Sequence, residues 1–188
     1  FLRARDFVSI ARPIMHRTME EAEESVNLAV RDGREATYLT QVECRQMMRC
    51  LATPGGRAPL HASGVGKALM MGLSDLDLEA LTGTLEFRRL TEDTLVSQDA
   101  LLQNLLDARR NGYAVDDEEH AIGLRCVAAP IFNEFAEPIA ALSLSGPKAR
   151  IPDPRVAQLG RMIEQAAFSI TLELGGRQPE FLLPSRSE

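Results

Sequence analysis

The chain has 188 residues, 45% hydrophobic and 26% charged, which suits one soluble globular domain with a substantial core. Its 21 Lys and Arg against 27 Asp and Glu give a net charge of −6; with neither a basic excess nor a basic stripe visible, this chain alone is a poor candidate for direct nucleic-acid contact. No apolar run is long enough for a membrane span and no signal-peptide pattern appears, while three cysteines without CxxC spacing argue against a disulfide framework or a structural zinc and fit a reducing cytoplasm.

Residues Phe1 to about Glu24 read as a helix, with Met15, Met19 and Ala22 at helical spacing and Glu20, Glu21, Glu23 and Glu24 on the solvated side. Pro13 marks a break or a fresh helix start. The chain opens on Phe rather than Met, which points to a fragment or a processed chain. Val26, Leu28 and Val30 then alternate with polar or small residues, Asp32-Gly33 signals a tight turn, and Ala36 to Val42 reads as the returning strand. In Cys44 to Leu51, Met47, Met48 and Cys50 supply soft apolar bulk whose simplest role is core packing.

After the loop Thr53-Pro54-Gly55-Gly56, a helix starts at Ser63 or Gly64 and runs to about Leu73. Its small-residue start lets backbone approach a neighbour or an anion, because the first turn of a helix has free N–H groups at the positive end of its dipole. The GxxxxGK[ST] spacing of a phosphate loop is missing, and Lys67 reads as a surface charge. Ser74 and Ser97 cap two further helices, the second turning Leu101, Leu102, Leu105 and Leu106 inward. Gly112 closes that helix as a left-handed cap. Asp153 to Leu174 forms a last amphipathic helix, and Arg177 to Glu188 is expected to be a poorly ordered tail.

Between those helices, Gly112 to Pro147 reads as strand, acidic turn, strand, short turn and strand. Cys126, Ala128, Ala129, Ala140, Ala141, Ser143 and Ser145 are small, and a sheet lined with small residues leaves a hollow for a helix or a ligand to fill. The run Asp116, Asp117, Glu118, Glu119 reads mostly as a solvated turn. Asp116 is the exception, since it ends a strand and can turn inward. Ser143 and Ser145 share one strand face. Cys126 joins them only if it pairs opposite Ser143 or Ser145 rather than Leu144. Two hydroxyls, a thiol and the amides near Gly64 and Val65 would then form a compact cradle for a small oxyanion. The three His residues are scattered, so spacing supports no metal site.

GYAVDDEEHAIGLRCVAAPIF with the following AALSLSGP, preceded upstream by PLHASGVGKAL at Pro59 to Leu69, resembles the C-terminal effector-binding domain of the IclR family of bacterial transcriptional regulators. The likeness runs from about residue 7 to residue 175. It implies an α/β (α+β) fold of the GAF-like type: a mainly antiparallel sheet flanked by helices, with a small-ligand pocket. It divides the chain into the end of a linker helix (1–12), the effector-binding domain (13–175) and a tail (176–188), and it implies an N-terminal winged helix-turn-helix that this chain lacks.

By the same resemblance, Gly64, Val65, Asp116, Cys126, Ser143 and Ser145 contact the effector, and Met47, Cys50, Ala58 and Leu124 form an apolar wall. The effector would be a small organic acid such as glyoxylate, pyruvate or a similar keto or hydroxy acid, with no metal, no cofactor and no catalysis. The implied setting is a cytoplasmic repressor that is a homodimer or homotetramer and reaches operator DNA only through the missing domain. A rival is a thiol enzyme acting on a small carboxylate through Cys126, His61 and Asp116. A third possibility is a pure oligomerisation module, whose hollow would be filled by side chains.

Overall fold

A computed structural model of the chain describes residues 4–182. Helix α1 (Ala4–Ala22) leads into strands β1 (Ser25–Asp32), β2 (Glu35–Val42) and the short β3 (Arg57–Pro59). Helices α2 (Gly64–Met71), α3 (Asp75–Thr82) and α4 (Gln98–Asn111) follow. Strands β4 (Ala114–Asp117), β5 (Leu124–Phe132) and β6 (Pro138–Pro147) then precede the long helix α5 (Asp153–Glu173). The strands form one antiparallel sheet in the order β3-β2-β1-β6-β5-β4. This is the α+β architecture expected from the hairpin and cap signals.

Strand alternation sorts the side chains into two cores. Val26 and Leu28 of β1, Val127 and Ile131 of β5, and Leu142 and Leu144 of β6 pack against α1 and α5, which contribute Met15, Met19, Leu159, Ile163 and Ile170. The other face presents Ala29, Ala36, Ala114, Ala128 and Ala141 to Val65, Ala68 and Leu69 of α2 and to Leu101 and Leu105 of α4. Small residues on that face let α2 sit close to the sheet. A side chain at Gly64 would meet the Cys126 Cβ at 3.2 Å, and one at Gly66 would meet Leu60 backbone at 2.5 Å.

Caps fall where the sequence places them. The Ser63, Ser74 and Ser97 hydroxyls accept the N–H groups of Gly66, Asp77 and Ala100, and Gly112 closes α4 at φ 84°. Four expectations are corrected. Pro13 lies inside one continuous helix. It stands on the exposed face, as does Ser9 four residues earlier, so the Ser9 carbonyl that loses its helical donor can bond to water. Leu106 is exposed while Leu101 and Leu105 are buried, because α4 turns only one stripe to the sheet.

Met47 and Met48 are 95% and 72% exposed, on an irregular loop that leaves the sheet after β2. The tail is anchored as far as Leu182. Arg177 donates to the carbonyls of Asn133 and Glu134, and the Arg109 guanidinium stacks 4.5 Å from the Phe181 ring. Phe1 to Arg3 and residues 183–188 lie outside the described residues.

Candidate functional site

The register decides which side chains meet. Cys126 pairs opposite Ser145 and Ala128 opposite Ser143, and Asp116 pairs opposite Cys126. Asp116, Cys126, Ser143 and Ser145 therefore share the α2 face of the sheet. They line a cavity of about 250 Å³ together with Gly64, Val65, Cys50 and Leu124. Tyr38, Ser63, Thr53, Arg57 and His120 complete its polar lining.

Two of the residues assigned by resemblance lie elsewhere. Met47 does not line the cavity and faces solvent, because the loop that carries it turns the neighbouring Cys50 inward instead. Ala58 is buried in β3 opposite Ala36 and contributes to the sheet rather than to the cavity wall.

The floor is polar and hidden. Ser143, Ser145 and Asp116 are buried, and the N-terminus of α2 forms one side. Ser63 Oγ accepts the Gly66 N–H and donates to the Pro59 carbonyl at 2.7 Å. The Gly64 and Val65 amides, first in the helix, find no acceptor among the described residues. They lie at the cavity with the positive end of the helix behind them.

Asp116 is 1% exposed. Its Oδ1 accepts the backbone N–H groups of Glu119 (2.9 Å) and His120 (3.3 Å). Burial, reinforced by the Glu119 carboxylate, outweighs the opposing Lys67 charge and those two N–H groups, and the carboxyl is pushed up to about 7. Burial raises the Cys126 thiol well above its ordinary range, with the Asp116 charge adding to it. The Tyr38 hydroxyl is raised as well, by burial first and then by the neighbouring Cys126, Cys50 and Asp116. Burial thus favours the proton-bearing forms of Asp116, Cys126 and Tyr38 around the cavity.

Behind Asp116 lies a group that sequence reasoning misread. Lys67 is fully buried. Its Nζ donates to both Glu119 oxygens (2.9 and 2.7 Å), to Asn104 Oδ1 (3.0 Å) and to the Val115 carbonyl. Glu119 therefore points inward like Asp116. Asp117 and Glu118 are tied to Lys148, and Asp117 also to Arg125, so the acidic run is bonded throughout rather than merely solvated. A Lys inside the otherwise apolar run Val65 to Met71 was the available signal.

The groups proposed for thiol catalysis do not assemble. His61 is buried with Nε2 2.9 Å from the Arg88 carbonyl and its ring edge-on to Phe87, and it does not line the cavity. His120 does line it, and its Nδ1 has no partner among the described residues. A burial-raised thiol is a poor nucleophile. Among the described residues no three His, Cys, Asp or Glu side chains cluster as a metal site needs, and no helix is long and apolar enough to cross a membrane.

Two larger grooves are also present. One of about 690 Å³ runs between α3 and the β5–β6 turn, and its polar side chains are exposed. Another of about 610 Å³ lies beside β3, where the buried His61 already has its partner. The second shares Arg57 and His120 with the smaller cavity, but neither groove reaches Asp116, Cys126, Ser143 or Ser145.

Comparison with known proteins places this geometry. Residues 1–172 match the family profile described as bacterial transcriptional regulator IclR C-terminal. The chain is 47% identical over 178 residues to the acetate operon repressor of Salmonella typhimurium and 46% identical to the transcriptional repressor IclR of Escherichia coli. Each match covers 94% of this chain, which spans 65% of those relatives' length. Among solved structures, the Thermotoga maritima IclR superposes with a TM-score of 0.86 at 28% identity, over 90% of this chain and 69% of that one. The C-terminal domain of the E. coli regulator KdgR gives 0.80 at 30%, over 90% and 99%. An IclR homologue from Microbacterium hydrocarbonoxydans, solved with 4-hydroxybenzoate, gives 0.79 at 28%, over 93% and 72%. This chain belongs to the IclR family of bacterial transcriptional regulators, and it corresponds to that family's C-terminal domain.

Proposed function

We propose that this chain is the effector-sensing domain of a cytoplasmic IclR-type repressor and binds a small organic acid in the cavity between α2 and the sheet. The observation that carries the reading is the convergence there of free helix amides, two buried hydroxyls and a proton-bearing carboxyl. A ligand carboxylate accepts from the Gly64 and Val65 amides and from Ser143 and Ser145. Asp116, neutral up to about pH 7, donates to a keto or hydroxyl oxygen instead of repelling the anion. Tyr38, Cys50, Leu124 and Cys126 close the walls. At about 250 Å³ the space is below the roughly 300–1,000 Å³ of drug-sized sites, which favours acids of a few carbons such as glyoxylate or pyruvate.

The protein acts as a sensor rather than an enzyme. The acid shifts the balance between two conformations or oligomeric states, homodimer or homotetramer, and an attached N-terminal winged helix-turn-helix reads that balance as operator affinity. The relatives named as repressors support this reading.

Thermal melting against two- to eight-carbon keto, hydroxy and aromatic acids tests it. An acid at 100 times its Kd adds about 2.7 kcal/mol, a shift of roughly 5–10 °C for a domain of this size. The shift is expected to disappear in Ser143→Ala/Ser145→Ala, with the acid recovered unchanged. A flat panel would overturn the sensor reading in favour of an oligomerisation module.

A further inference from the structure

A serine hydroxyl can aim its proton at a ligand or back into the protein, and the direction decides what the ligand must offer. Behind Ser143 and Ser145 stands Asn27 of β1, 1% exposed, opposite Ser143 in the register and outside the cavity lining. Its Nδ2 donates to Ser143 Oγ (3.1 Å) and to Ser145 Oγ (3.0 Å). Its Oδ1 accepts from Gln41 Nε2 at 2.7 Å, and that same nitrogen donates to the Cys50 backbone carbonyl at 3.1 Å.

The last contact fixes the polarity of the whole chain. A backbone carbonyl only accepts, so the Gln41 group facing Cys50 is its NH₂. The second hydrogen of that NH₂ goes to Asn27, whose facing atom must then be oxygen. The NH₂ of Asn27 is left for the two serines, one hydrogen each. A serine oxygen that accepts from Asn27 directs its own proton elsewhere. For Ser143 the open direction is the cavity. For Ser145 it is the cavity or the neighbouring Cys126 sulfur, a weak acceptor that an anionic oxygen displaces.

We propose that Asn27 and Gln41 are positioning residues that aim the Ser143 and Ser145 hydroxyl protons at the cavity, so that the floor meets a ligand as a pair of donors and the site selects a carboxylate over the isosteric carboxamide. This rests on the acid-binding reading of the cavity. A carboxylate offers acceptors to both hydroxyls. A carboxamide offers one acceptor and an NH₂, which meets a donor and leaves two buried donors unpaired. Asn27→Asp keeps the size of the side chain and its acceptance from Gln41. Its second oxygen accepts the serine protons instead, turning both hydroxyls away from the cavity.

The test uses the full chain with pyruvate and pyruvamide as calorimetric probes. The wild type is expected to favour pyruvate by at least about tenfold, as expected for a mismatched buried polar group. Asn27→Asp is expected to lose pyruvate affinity and to abolish or invert that ratio at a temperature below its melting transition, which the buried carboxylate lowers. Gln41→Leu, which frees the Asn27 amide to flip, is expected to narrow the ratio. A wild-type ratio retained in Asn27→Asp overturns the proposal.

A second arm needs no ligand. By NMR, both Asn27 side-chain amide hydrogens should exchange slowly and shift when Ser143 or Ser145 is replaced by Ala. Unshifted resonances overturn the assignment even if the wild type binds pyruvate. Shifted resonances with no binding of either probe uphold the network and sink the acid-binding reading alone.

Discussion

The Lys67 ammonium meets the Glu119 carboxylate at 2.7 Å in the interior, and the Glu119 backbone N–H is held by the Asp116 carboxylate on the cavity side. One turn thus carries both a buried ion pair and a cavity-facing acid. Removing only the cation leaves Glu119 charged and unpaired, so Lys67→Met is expected to cost about 3–5 kcal/mol in urea unfolding. Lys67→Met/Glu119→Leu should recover more than half of that loss, since burying two apolar chains avoids the lone charge. A double variant no better than the single would show that the stability lies in the Lys67 bonds to Val115 and Asn104.

Asp116 should make stability fall with rising pH. Burial holds its carboxyl at about 7 in the folded chain, against about 3.9 in an unfolded one. Between those values the folded state carries the extra proton, so stability declines from about pH 4 to about pH 7 and is level above. Asp116→Asn should remove that part of the slope in melting curves recorded across the range. Acid affinity should also weaken above about pH 7, because each bound anion then brings a proton with it. Calorimetry in two buffers of different ionisation enthalpy measures that uptake directly.

The thiols should react in the order of their access. Cys50 is partly exposed, whereas Cys44 and Cys126 are buried, and burial keeps Cys126 protonated. With iodoacetamide at pH 8, Cys50 is expected to be alkylated first and Cys126 only on unfolding. Alkylation of Cys126 faster than that of free cysteine would restore the thiol-enzyme alternative.

The two glycines of α2 should separate folding from binding. An Ala at Gly66 would strike Leu60 backbone at 2.5 Å and Ser63 Oγ at 2.7 Å, so Gly66→Ala is expected to cost roughly 3 kcal/mol or more. An Ala at Gly64 meets the Cys126 Cβ at 3.2 Å, which small shifts relieve. Gly64→Ala should melt near the wild type and bind acids poorly, because its methyl group stands between α2 and the cavity floor. Equal melting temperatures for the two variants would contradict this division.

Local signals in the sequence were enough for the hairpins, the serine caps and the left-handed Gly112. The parity condition on Cys126, Ser143 and Ser145 needed only strand alternation, and the observed pairing of Cys126 with Ser145 meets it. Partners distant in sequence were less visible. Lys67 looks exposed until Glu119 and Asn104, each dozens of residues away, close around it. Met47 and Met48 have the composition of a core but sit on a loop whose path no periodicity encodes. Asn27 left no trace: between the core-facing Val26 and Leu28 it reads as a solvent-facing position, and only its pairing opposite Ser143 of β6 shows it buried.

Strand β6 is a partition one residue thick. Ser143 and Ser145 form the floor of the cavity, while Leu142 and Leu144 belong to the packed cluster that holds α1 and α5. These four side chains hang alternately from a single stretch of backbone. A pull of a few tenths of an ångström on the two hydroxyls is therefore delivered to the opposite compartment across one peptide unit. Close packing there leaves little slack to absorb it, so the two compartments share one backbone with no loose layer between them.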